Sequence, residues 1–152
     1  MTHARQQIRE AVAAVLSRNP VPWKTVTKTR IPATMQIWPY LMVFAESESS
    51  SQLTVNDPCV YEREVTITVA GMLKLPTNTS IIEDKMDECA AEIEQKLTQS
   101  TLRNELQQIQ SLTLISTSME VVQEEDGIDH GEVITSWRIS YSTLEGSPDT
   151  LI

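Results

Sequence analysis

The residues able to do chemistry are few and scattered. Cys59 and Cys89 are the two cysteines, and they lack the paired spacing of a zinc site. They read as two reduced thiols. His3 falls at the start of the chain and His130 in an expected turn, so neither is placed as a catalytic base beside a serine and an aspartate. The four glycines, Gly71, Gly127, Gly131 and Gly146, are too dispersed to cradle a phosphate. The carboxylates Glu124, Glu125 and Asp126, close to Asp129 and Glu132, are the densest group of hard oxygens, but their spacing departs from a calcium loop. They read as a solvated hairpin turn. The expectation is a protein that is not an enzyme, with no catalytic residues, no cofactor and no metal.

Charge narrows the partners. Twelve Lys and Arg against 21 Asp and Glu give a net charge of −9 over 152 residues. Neutralising phosphates needs clustered cations, so specific nucleic-acid binding is not expected. Lys24, Lys28 and Arg30, with Arg5 and Arg9, make the first thirty residues basic while the remainder is acidic. Such asymmetry suits solvated faces, and it also suits head-to-tail contact between copies of one chain. The longest apolar cluster, around Trp38 to Phe44, is far shorter than the roughly 20 residues a spanning helix needs. The opening Met1-Thr2-His3-Ala4-Arg5 leads into an amphipathic pattern and not into an export signal.

The elements that must position any site follow from periodicity. Ala4, Ile8, Ala11, Val12, Val15 and Leu16 share one helical face over 4–16. Asn19-Pro20-Val21-Pro22 ends that helix. The segment 26–29 suggests a short strand, and 35–44 a strand rich in β-formers, with Pro39 marking an edge or a bulge. Residues 46–58 are polar, acidic and serine-rich and read as a flexible loop, either a mobile insertion or a functional loop. Over 61–74, Val65, Ile67, Val69 and Leu73 alternate with Glu64, Thr66, Thr68 and Lys74, a strand with one wet face. It forms a long antiparallel hairpin with 35–44.

Ser80 and Glu83 have capping-box spacing ahead of a helix over 80–97, with Ile82, Met86, Cys89, Ala90, Ile93 and Leu97 as its apolar stripe and an acidic outer face. A polar passage containing Leu102 and Leu106 leads to strands over 111–122 and 132–143, joined by a turn around Gly127 and Gly131. In the last strand Val133, Trp137, Ile139 and Tyr141 share one parity, interrupted by Thr135. Residues 146–152 read as a tail with no regular packing. The fold class is α+β: a mixed, mostly antiparallel sheet covered on one face by two helices, all in a single domain over 1–152.

This order of elements, with "TRIPATMQIWPYLMVFAESE" at 29–48, "YEREVTITVAGML" at 61–73, an acidic helix after Ser80 and "SWRISYSTLEGSPD" at 136–149, resembles the tail terminator family of long-tailed bacteriophages, the proteins related to minor tail protein U. The likeness runs over nearly the whole chain, ending in Tyr141-x-Thr143-x-Glu145-Gly146. It implies a structural protein that assembles as a homo-hexameric ring on the end of the tail tube, stops tube polymerisation and presents the surface that joins the capsid.

The resemblance implies as partners other copies of the chain, the tail tube protein and a head-completion or neck protein. DNA would pass through an acidic lumen without specific binding, and no membrane is involved. It implies location in the virion at the neck end of the tail, after assembly in the host cytoplasm. Residues expected at ring or partner interfaces are Lys24, Lys28, Arg30, Glu46, Glu48, Leu53, Val55, Glu124, Glu125 and Asp126. Two other readings remain open: a head-completion or neck protein of the same virion, and a host adaptor or inhibitor that binds one partner through an exposed strand.

Overall fold

The computed structural model describes residues 2–18, 23, 25–28, 30, 38–74, 81–122 and 130–152. Along the chain come α1 (Ala4–Leu16), β1 (Thr25–Thr27), β2 (Tyr40–Gln52), β3 (Val60–Lys74), α2 (Ile82–Lys96), α3 (Gln99–Glu105), β4 (Ser111–Val122) and β5 (His130–Leu144). The strands form one sheet in the order β1-β2-β3-β5-β4. β1 runs parallel to β2, and every other neighbouring pair is antiparallel. The mixed α+β architecture expected from the periods is what forms.

Apolar periodicity explains the packing. Ile8, Val12, Val15 and Leu16 of α1 and Met86, Cys89 and Ile93 of α2 meet Leu41, Val43, Val65, Ile67, Val69, Val133, Ile139 and Tyr141, all on one face of the sheet. A fully buried Ile or Leu contributes about 1.5–3 kcal/mol, so this layer is the main source of stability. Thr135 interrupts the stripe of β5 without leaving a polar atom stranded: Trp137 Nε1 donates to its Oγ1 at 2.8 Å, and that hydroxyl donates to the carbonyl of Val69 at 3.2 Å. A second, smaller cluster of Tyr40, Ala70 and Met72, with Trp38, Met42, Phe44 and Ile134 beside it, lies on the opposite face. β3 is therefore buried on both sides along its second half, where the alternation with Thr68 had suggested one wet face.

Four further expectations need correction. The polar passage after α2 is a third helix, α3, whose start is fixed by a reciprocal box: Thr101 N–H donates to Thr98 Oγ1 and Thr98 N–H to Thr101 Oγ1. Leu102 anchors it in the core. The expected loop over 46–58 is strand as far as Gln52, with Ser47 paired to Thr66 and Gln52 to Tyr61 after a register shift between Ala45 and Ser47. The residues over 146–152 dock: Leu151 is buried and bridges Thr143, Ile152 N–H donates to Ser142 O, and Ala4 N–H donates to Pro148 O at 2.9 Å. His130 begins β5, is buried, and bonds Glu132 through Nε2 at 2.8 Å.

The first part of the 35–44 strand, the Ser80 cap and the turn over 123–129 lie outside the described residues. β2 is described from Tyr40, and α2 begins with Ile81 as N-cap and no side-chain capping bond.

Candidate functional site

The basic N-terminal region converges at the outer edge of β2. β1 pairs with Tyr40, Leu41 and Met42 and goes no further. Just past it, Arg30 donates from Nη2 to Ala45 O at 3.2 Å and stacks its guanidinium 4.4 Å from the centre of the Phe44 ring. Arg9, on α1, donates to Lys28 O, and Lys28 Nζ stands 3.5 Å from Glu10. The Gln6 amide, and then Lys28, hold the Glu10 carboxyl below its ordinary range. His3, Arg5, Gln6, Arg9, Arg30, Phe44 and Ala45 line an open cleft of about 380 Å³. Among the described residues neither Arg9 nor Arg30 is within ion-pair distance of a carboxylate. In a chain of net charge −9 these guanidinium groups concentrate positive charge at one edge of the sheet.

Glu48 does a different job from the one its sequence suggested. Its side chain is only 5% exposed, and it accepts from Tyr141 Oη, from Arg5 Nη1 at 2.8 Å and from Arg63 Nη1 at 3.5 Å. Arg63 Nε in turn donates to Thr143 Oγ1 at 2.9 Å. Burial, and then the bond to Glu48, push the Tyr141 phenol above the ordinary tyrosine value. The carboxylate thus ties α1, β2, β3 and β5 together, so Glu48 is withdrawn from the exposed interface set.

The other interface residues fall as follows. Lys28, Arg30 and Glu46 are exposed at or near the β2 edge. Leu53 and Val55 follow β2 at the tip of the hairpin and are 59% and 93% exposed. Lys24, Glu124, Glu125 and Asp126 lie outside the described residues. The register sets the two hairpin ends apart: Val60, next to the first tip, pairs with Leu144, whereas Lys74 pairs with His130 beside the second. The β2–β3 tip therefore lies at the opposite end of the sheet from Val122 and His130, where β4 ends and β5 begins.

One surface was not anticipated. β4 is the last strand of the sheet, and among the described residues nothing pairs with its outer side. Ile115, Met119 and Val121 on it are 44%, 47% and 39% exposed. Edge strands are ordinarily blunted by lysine, proline or brevity. β4 has twelve residues, no lysine or proline, and a single charge, Glu120. That composition was readable in the sequence, but which strand ends the sheet was not.

No family model matches the chain, and no curated protein matches it. Among solved structures, a chain of one described as "Virion of native gene transfer agent (GTA) particle" is similar, with a TM-score of 0.42 and 10% identity over 91% of this chain and 95% of that one. At that distance, function has to be argued from the residues themselves. Among the described residues no three of His, Cys, Asp and Glu gather as a metal cluster, and no helix is long and apolar enough to cross a membrane.

Proposed function

We propose that the chain is a structural tail terminator of a long-tailed bacteriophage. In this reading it assembles as a six-membered ring on the end of the tail tube, stops its polymerisation and presents the surface that joins the capsid. The observation that supports it best is the arrangement of unlike surfaces on one sheet. Its two lateral edges differ, one arginine-lined at β2 and one at β4 that nothing among the described residues covers, and the β2–β3 tip lies at the opposite end of the sheet from Val122 and His130.

Unlike lateral surfaces make contact heterologously, and heterologous contacts close into rings when the rotation permits. Unlike ends give the ring two different faces, which a terminator requires: one must bind the tube better than another tube subunit does, and the other must not continue it. A predominantly acidic ring would let DNA pass through its lumen without holding it. The tube protein and a neck protein are the partners this role demands.

Deleting the coding sequence from the phage that carries it tests the reading. Overlong tails that fail to join capsids are the expected result. Tails of normal length left unjoined would instead make the chain a head-completion or neck protein. Normal virions would leave the adaptor reading, in which β4 adds to a host protein.

A further inference from the structure

Among the described residues nothing pairs with the outer side of β4 or with the outer half of β2, and the strand directions decide how these two edges can meet. β2 is antiparallel to β3, β3 to β5 and β5 to β4, so β4 runs opposite to β2. In a ring, rotation about the axis sets the β4 edge of one copy beside the β2 edge of the next, with the two strands antiparallel. β1 covers only Tyr40, Leu41 and Met42, and among the described residues no strand pairs with the outer side of 46–52.

Charge selects the register. Glu120 pairs across β5 with Glu132, which pairs across β3 with Met72, which pairs with Tyr40 of β2. Glu120 therefore shares a sheet face with Tyr40, Met42 and Phe44, the face on which Arg30 covers the Phe44 ring. Glu120 stands directly opposite Glu132, which is bonded to His130, so a cation beside Glu120 would relieve the remaining like-charge contact. Among the described residues Glu120 has no ion pair, and Arg30 has no carboxylate partner.

We infer that β4 of one copy extends the sheet of the next by antiparallel pairing with the open half of β2, placing Glu120 against Arg30 of that neighbour. The occupant of the β4 edge is a second copy of this chain, and the contact rests on the ring reading above. Ile115, Met119 and Val121 lose exposure in the process, and Arg30 gains a carboxylate partner.

The test is ring formation by the full chain, followed by sedimentation and by electron microscopy on isolated tail tubes. E120R and R30E are each expected to weaken self-association about tenfold, and the two together to restore it. Circular dichroism and melting of each variant confirm that the monomer still folds, since both side chains are exposed. A second route is V121K with M119K, which places lysines on the edge and is expected to abolish rings. Rings unaffected by all of these would overturn the β4 contact and leave the ring reading standing. Symmetric dimers alone, or a wild-type chain that never associates even on tube ends, would overturn both.

Discussion

The Tyr141 phenol donates its hydrogen to the Glu48 carboxylate, joining the C-terminal part of β5 to the outer half of β2, next to Arg5 of α1. Two arginines complete the shell around the same carboxylate, Arg5 from the helix and Arg63 from β3. Removing one member of a buried charged group leaves the others unpaired, which costs far more than the group contributes as a whole. Glu48→Ala is expected to destabilise the monomer by about 3 kcal/mol, and Tyr141→Phe by about 1–2 kcal/mol. Urea melts of the two variants and of the double variant check this. Additive losses would show that the two residues do not act as one unit.

Close packing between α2 and the sheet makes a second prediction. A Cβ placed at Gly71 would lie 2.6 Å from Cys89 Sγ and 3.3 Å from Leu41 Cδ2. Gly71→Ala is expected to destabilise by about 1–3 kcal/mol because α2 must shift to admit the methyl. Combining it with Cys89→Ala should recover much of that loss, by opening the space the new methyl needs. A double variant no more stable than Gly71→Ala alone would show that the Cys89 contact is not the cause.

The same thiol should be inert in the folded protein. Burial pushes Cys89 up to about 12, so almost none of it is thiolate at neutral pH. Reaction with a thiol reagent at pH 8 is expected to proceed at the rate of unfolding, and to accelerate in step with added denaturant. Labelling of Cys89 at the rate of a small free thiol would contradict its placement under α2.

How much of this was legible follows the distribution of burial. Ala4–Leu16 was readable to the residue because its apolar period is uninterrupted. The outer half of β2 was not, because Ser47, Ser49, Ser50, Ser51 and Gln52 are polar and exposed. A strand with both faces wet carries no alternation to read. Glu48 was misjudged for the opposite reason: its partners Arg5, Arg63 and Tyr141 are distant in sequence, and only the register brings them to it. Leu151 likewise gave no sign that it would be buried against Thr143, since a lone apolar residue has no period.

His3 supplies a pH dependence. Its Nδ1 accepts the Arg5 N–H at 3.1 Å and so caps α1, which only the neutral ring can do. Desolvation, and then the Arg5 charge, lower its pKa below 6.5. A histidine depressed in the folded state binds protons more readily when unfolded, so its stabilising contribution is whole above pH 6.5 and is lost as pH falls through the lower folded value. The protection factors of the first amides of α1 are therefore expected to fall as pH drops below 6.5. His3→Asn, which caps without titrating near neutrality, should remove that dependence. An unchanged exchange profile in His3→Asn would place the titration elsewhere.

Leu53 and Val55 test which end of the sheet meets the tube. They follow β2 at the hairpin tip, are 59% and 93% exposed, and make no contribution to the core. Replacing both with serine should therefore leave monomer stability within about 0.5 kcal/mol. If this tip is the face that binds the tube, each copy loses up to about 1.5–3 kcal/mol per side chain there, and six copies multiply the loss. Rings should still form, because the lateral edges are untouched, but they should no longer limit tube length when added to polymerising tube protein. Rings that still stop the tubes at normal length would assign the tube contact to the opposite end, beside the β4–β5 turn.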